Sequence, residues 1–182
     1  MTKEKSKPII ASITNEEQLE LALRSPVSRI NLMTGDIATL GDIVRQLHEA
    51  DKQVYVHMEM MQGIGRDASG IHYIAGMFGV DGIVTTKSQA VAAARQAGIR
   101  SIQRIFAIDS AAVETGIRMI ASSKPDEVEL MPGLMPRVIR ELKSKMSRPL
   151  IVGGLIRYEE EVREALGSGA DYVSTGNPDL WN

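Results

Sequence analysis

The stretch PLIVGGLI, residues 149–156, runs as a short apolar, β-branched segment straight into two glycines. One helical segment later the chain repeats the move with DYVSTGNP at 171–178. Each reads as a buried strand whose C-terminal end leaves backbone N–H groups uncovered by side chains. Runs of this kind alternate with amphipathic segments along the whole chain, which is the pattern of βα units around a parallel sheet. Eight strands are predicted, at 8–11, 29–33, 53–58, 82–86, 101–107, 127–131, 149–152 and 172–174. Helices are predicted at 14–24, where Thr14 and Glu17 suggest a capping box, and at 36–50, 88–97, 109–122, 136–146 and 158–167. The segment RDASGIHYIAGMFG, 66–79, has helical period but is weakened by its glycines.

Eight units in 182 residues leave about 23 residues each, enough for a short strand, a three-turn helix and two tight loops. The expected fold is therefore one domain over 1–182, a small closed (βα)8 TIM-like barrel, with a doubly wound open parallel sheet as the alternative. An internal echo favours closure: GVDGIVTT at 79–86 matches GADYVSTG at 169–176, and 169 − 79 = 90, about half the chain. The same pattern also arises wherever a helix hands over to a buried strand.

Composition narrows the function classes. The 21 Lys and Arg against 23 Asp and Glu leave a net charge of −2, so no global basic field advertises nucleic acid. The absence of cysteine excludes a disulfide framework or a thiolate metal site and fits a reducing cytoplasm. No apolar run approaches the length of a membrane span, so the chain reads as a soluble, cytoplasmic protein without a membrane partner.

In a barrel of this kind function sits at the C-terminal strand ends, and phosphate is often held after strands seven and eight. Gly153 and Gly154 let the backbone approach an anion, Leu155 follows them, and Ser174, Thr175 and Gly176 add hydroxyl and N–H donors. NPDLW can begin a short helix with Asn177 as cap and Pro178 first, placing a helix N-terminus at the same spot. His57 and Glu59 share one parity of strand three, and Lys87 stands just beyond strand four. Arg104 and Glu129 lie inside apolar strands and are expected to pair, either as a structural plug or as part of a site. The neighbouring Met131 reads as packing. No HExxH, HxxH, GxSxG or acidic metal-ligand cluster occurs, so neither a metal nor a cofactor is expected. Lys87 with Glu59 would suit a Schiff base and its general base, or simply a countercharge to phosphate.

The segments GIGRD at 63, GVDGIVTTKSQAVAAA at 79, IQRIFAIDS at 102, PDEVELMPGLMP at 125, IVGGLI at 151 and VSTGNPDLW at 173 resemble, in order, the glycerol-uptake operon antiterminator regulatory proteins. The resemblance implies a barrel that binds glycerol 3-phosphate as effector and acts on leader mRNA of a glycerol uptake operon, with no reaction of its own. It places the phosphate at Gly153, Gly154, Ser174 and Thr175, and the glycerol moiety among Glu59, Lys87, Arg104, Glu129 and Met131. Gly176 departs from the serine, and Glu59 from the shorter Asp, that the family pattern leads one to expect. A phosphosugar isomerase or aldolase on the same barrel, and a metabolite module acting through a protein partner, are the alternatives.

With aromatic residues at 4%, a stacking platform for single-stranded RNA is not expected, and phosphate contacts must come from clustered cations. The richest cluster is MPRVIRELKSKMSRP at 135–149, where Arg137, Arg140 and Lys143 share a helix flank, followed by Lys145 and Arg148. An ordinary solvated helix reads the same way. The N-terminal KEKSK is the second basic segment, and a homo-oligomer is left open.

Overall fold

A computed structural model describes residues 8–182, so the KEKSK segment lies outside the described residues. Eight parallel strands close in chain order into a barrel, and the open-sheet alternative is set aside. The strands are β1 Ile9–Ile13, β2 Arg29–Leu32, β3 Gln53–His57, β4 Gly82–Thr85, β5 Arg100–Phe106, β6 Glu127–Met131, β7 Leu150–Gly153 and β8 Tyr172–Thr175. The outer helices are α1 Glu17–Arg24, α2 Ile37–Glu49, α3 Ala68–Phe78, α4 Ser88–Gln96, α5 Ser110–Ser123, α6 Pro136–Lys145 and α7 Glu159–Gly167. In place of an eighth helix, a 3-10 turn at Pro178–Leu180 packs against α1. Its neighbour Trp181 is buried and donates from Nε1 to the Thr175 carbonyl at 2.9 Å. No described helix is long and apolar enough to cross a membrane.

Aspartate caps explain three helix starts. Asp36, Asp67 and Asp109 each accept first-turn N–H groups, which lets α3 form despite its glycines. The beginning of α1 differs from expectation. The Asn15 carboxamide oxygen accepts from Gln18 N, and Gln18 Oε1 accepts from Thr14 N and Oγ1. Asn15 thus takes the capping role assigned to Thr14, and the helix begins at Glu17.

Alternate residues of each strand face inward, and the register carries one parity around the closed sheet. Ser174 lies beside Ile10 and Gly153, Glu129 beside Arg104 and Ile151, Val84 beside His57 and Ile102, and Tyr55 beside Asn31. The interior stacks as layers drawn from alternate strands. At the N-terminal mouth Arg29, Gly82, Glu127 and Tyr172 form a plug. Arg29 Nη1 meets Glu127 Oε2 at 2.8 Å, Arg100 meets Oε1 at 3.1 Å, and the Arg29 guanidinium lies 4.2 Å from the centre of the Tyr55 ring. Ile10, Tyr55, Ile102 and Ile151 form the next layer, with Val84 packed on it; each such aliphatic side chain contributes about 1.5–3 kcal/mol by leaving water. Above come Asn31, Val84, Glu129 and Ser174, and at the C-terminal mouth Ser12, His57, Arg104 and Gly153. The outward residues pack under the helices as the main apolar core.

The 90-residue echo is twice a shorter period. Asp81, Asp126 and Asp171 recur every 45 residues, 126 − 81 and 171 − 126 both being 45, one residue before β4, β6 and β8. Each Oδ2 accepts a backbone N–H near the start of the preceding strand: Val54 at 2.7 Å, Ser101 at 2.8 Å and Leu150 at 2.7 Å. Asp81 also meets His48, and Asp171 pairs with Lys143. At the other ends of β4 and β8, Thr85 and Thr175 do the same work: each hydroxyl accepts, at 3.1 Å, the N–H two residues on, from Lys87 and Asn177.

Candidate functional site

The C-terminal mouth gathers the polar residues singled out in the sequence. Strand β7 extends through Gly153, so the loop begins at Gly154, where φ is +77°, and continues through Leu155 at φ +64°. A left-handed conformation at a non-glycine residue costs about 1–2 kcal/mol, and here it presents two successive N–H groups beside the end of β8. Among the described residues no acceptor meets the N–H of Gly154, Leu155 or Gly176. Gly153 is tightly enclosed: a Cβ there would stand 2.1 Å from Ser174 Oγ and 3.3 Å from Glu129 Oε1, so Ser174 would have to turn away.

The other cradle residues frame these donors. Thr175 Oγ1 donates to the Ile156 carbonyl at 3.1 Å and accepts from Asn177 N, tying the β7 loop to β8. The Asn177 side chain donates to the Arg157 carbonyl and accepts from Asp179 N. Hydroxyl and carboxamide are therefore engaged in the protein itself. Gly176 has ordinary room, a Cβ there lying 3.4 Å from the Ser12 carbonyl. Residues 155–160 and 176–177 line an open cleft of about 870 Å³ outside the cradle. The exposed Arg157, which sequence reasoning passed over, lies on it, its guanidinium unpartnered among the described residues.

From Ser174 a chain of side chains crosses the floor of the mouth. Ser174 Oγ donates to Glu129 Oε1 at 2.6 Å, and Glu129 Oε2 accepts from Arg104 Nε at 2.7 Å. Arg104 Nη1 lies 2.9 Å from His57 Nε2. The expected Arg104–Glu129 pair is thus present, with Glu129 fully buried. A guanidinium can only donate, so His57 Nε2 must accept, and the neutral ring carries its proton on Nδ1. Burial, and after it the Arg104 charge, hold the imidazole below its usual pKa, while Glu59 and Glu129 pull the other way. His57 Nδ1 stands 3.4 Å from Glu59 Oε2.

Glu59 follows β3, where its Oε1 accepts the Thr85 hydroxyl at 2.5 Å and Thr86 N at 3.4 Å. Thr86 is the counterpart of Gly176, 90 residues on. One side of the mouth therefore answers its strand-end N–H with a carboxylate of the protein, and the other side leaves the matching N–H without an acceptor. Lys87 is exposed and its amine has no partner among the described residues. Met131 lies under the cradle, its Sδ 3.6 Å from a Cβ placed on Gly154. Among the described residues no group of three or more His, Asp or Glu could hold a metal ion.

The basic flank of α6 divides. Arg140 Nη1 donates to Ser168 Oγ at 3.2 Å and Lys143 pairs with Asp171, so these two fasten α6 to the α7–β8 connection. Lys145 meets Glu141 at 2.8 Å and Arg137 meets it at 3.8 Å with a side chain 81% exposed. Arg148, beyond the helix, has no ion-pair partner among the described residues.

Residues 9–181 match the family model described as glycerol-3-phosphate responsive antiterminator. The chain is 33% identical to the protein YgcP of Escherichia coli (strain K12) over 174 residues, 96% of this chain and 91% of that one. Among solved structures it is similar to the glycerol uptake operon antiterminator regulatory protein of Listeria monocytogenes str. 4b F2365, at 30% identity and a TM-score of 0.92 over 100% of this chain and 97% of that one. It is also similar to a glycerol uptake operon antiterminator-related protein of Thermotoga maritima MSB8, at 32% identity and a TM-score of 0.85 over 97% and 99%.

Proposed function

Since the chain belongs to the glycerol-3-phosphate responsive antiterminator family, we propose that it binds glycerol 3-phosphate at the C-terminal mouth and answers by engaging the leader mRNA of a glycerol uptake operon, without transforming the effector. The phosphate rests on the N–H groups of Gly154, Leu155 and Gly176, with Lys87 and Arg157 adding positive charge from the rim. The observation that carries this reading is the asymmetry of the mouth: the strand-end N–H of Thr86 is met by the Glu59 carboxylate, while its counterpart at Gly176 stands without an acceptor. An anion completes there what Glu59 completes opposite.

The chemistry also suggests how occupancy is reported. Ser174 has one hydroxyl proton, now given to Glu129. A phosphate oxygen competes for it, and Glu129 then keeps only Arg104. Glu129 lies on β6, whose end leads through residues 132–135 into α6, so a shift at the carboxylate is passed to the helix whose outer face carries Arg137, Lys145 and, just beyond, Arg148. These cations contact RNA phosphates, while Arg140 and Lys143 hold the helix in place. Lys87 is exposed, which suits a countercharge to phosphate better than the Schiff base of the aldolase reading.

The test is binding of a labelled leader transcript to the purified protein with and without glycerol 3-phosphate. The effector is expected to strengthen binding, and Arg137→Glu with Arg148→Glu to weaken it and flatten its salt dependence by roughly one phosphate contact per charge removed. Transcript binding that ignores the effector sinks the reading.

A further inference from the structure

Among the described residues six buried side-chain nitrogen or oxygen atoms lack a hydrogen-bond partner: Arg29 Nε and Nη2, Asn31 Nδ2 and Oδ1, His57 Nδ1 and Glu59 Oε2. Arg29 is accounted for by the faces of Tyr55 and Tyr172, at 4.2 and 5.5 Å from its guanidinium. Of the other four, His57 Nδ1 and Glu59 Oε2 stand 3.4 Å apart at the end of β3, while Asn31 on β2 lies one layer deeper, in register with Tyr55; β3 faces β7 across the barrel. Buried polar groups are nearly always satisfied, so two adjacent orphans, His57 Nδ1 and Glu59 Oε2, are a demand for a ligand group or a water.

Their chemistry restricts what can answer. With Nε2 facing Arg104, His57 Nδ1 is a donor; Glu59 Oε2, with Oε1 held by Thr85, is an acceptor 3.4 Å away. A phosphate oxygen would satisfy the imidazole and be repelled by the carboxylate. An ammonium would do the reverse, and a carbonyl has no proton to give. A hydroxyl accepts from one and donates to the other. Asn31, one layer deeper, repeats the offer of donor and acceptor.

We propose that His57 and Glu59 form a hydroxyl-reading subsite facing the phosphate cradle, which restricts the ligand to phosphorylated polyols; the proposal rests on the effector reading above. The side chains of Arg104 and Glu129 span the floor between the two ends.

The experiment compares binding of sn-glycerol 3-phosphate and n-propyl phosphate, which keeps the phosphate and the three carbons but lacks both hydroxyls, by calorimetry. The native protein is expected to prefer the glycerol ester by about 10²-fold, because a site built for a hydroxyl is left unpaired by its deoxy analogue. His57→Gln places its carboxamide at the Nε2 position and keeps the Arg104 contact, and is expected to bring the ratio to within about threefold of unity. His57→Asn places a donor at the Nδ1 position and is expected to retain most of the preference, which a structural role for the ring would not. Glu59→Ala removes the acceptor from the turn after β3, where the side chain is only partly buried, and serves if His57→Gln does not fold. Equal native affinities for the two esters, or a preference unaltered in His57→Gln and Glu59→Ala, overturn the subsite and leave a resident water in its place. Binding of neither ester overturns the effector reading, and the subsite with it.

Discussion

Replacing Glu129 by leucine removes the only carboxylate among the described residues that is bonded to the Arg104 guanidinium. What remains around that charge is His57 Nε2 at 2.9 Å and the Met33 sulfur at 3.7 Å, in a residue 6% exposed. Breaking a buried pair from one side costs about 3–5 kcal/mol, with about 1 kcal/mol more from the Ser174 hydroxyl that loses its acceptor. For a chain of this size each kcal/mol moves Tm by about 2–4 °C, so a total cost of about 4–6 kcal/mol gives a fall of roughly 8–24 °C. Arg104→Leu strands the carboxylate instead, and should cost a similar amount. The double replacement leaves two apolar side chains side by side, an exchange often neutral for buried ion pairs, and is expected to recover most of the loss. Urea unfolding of the native protein, the two single variants and the double variant closes the cycle. A double variant as unstable as the sum of the singles would show that the pair is not energetically coupled, and the account of the barrel floor would fail.

Three further outcomes are expected. Gly153→Ala drives a methyl to 2.1 Å from Ser174 Oγ, so Ser174 must turn away; stability should fall by about 1–3 kcal/mol and glycerol 3-phosphate affinity by more than tenfold, and calorimetry showing native affinity would remove the cradle from that loop. Gly176→Ser has room for its Cβ and adds a hydroxyl donor; it should tighten effector binding severalfold with stability within about 0.5 kcal/mol, whereas weaker binding would mean that the loop does not face the ligand. The folded-state pKa of His57 is depressed by burial and then by Arg104, so below about pH 6.5 the unfolded chain takes a proton that the folded chain refuses. Stability should therefore decline as pH drops through that value, by at most about 1.4 kcal/mol per pH unit, and His57→Asn should lack this part of the slope; parallel pH profiles for the two proteins would contradict it.

Much of the frame could be read in the sequence because its signals are local. Asp36 and Asp109 announce their helices, the apolar runs end at small residues, and two opposite charges inside neighbouring apolar strands, Arg104 and Glu129, already implied a pair. The remainder depends on register around a closed sheet. Asn31 looks like any polar residue in a strand until β1 and β3 bury it on both sides, and His57 becomes a directed donor only once Arg104 has claimed its other nitrogen. The basic flank of α6 misleads for the same reason. Helical spacing groups Arg140 with Arg137, but Ser168 and Asp171, some thirty residues on, take Arg140 and Lys143 out of the free surface. At the start of α1 two polar side chains competed for one role, and Asn15 won it from Thr14.

The ion-pair plug closes the far end of the barrel and leaves the C-terminal mouth as the open side. Glu127 holds two arginines there under the tyrosine rings, and an aliphatic layer lies behind them, so a small molecule cannot leave by passing through. Entry and departure share one threshold, edged by the exposed side chains of Met60, Phe106, Ile108, Leu134 and Leu155. Whatever settles on that rim also bars the way out. A small molecule seated at the mouth would meet the same obstacle arriving as leaving, so enlarging a rim side chain would slow its association and its release alike and change its affinity the least.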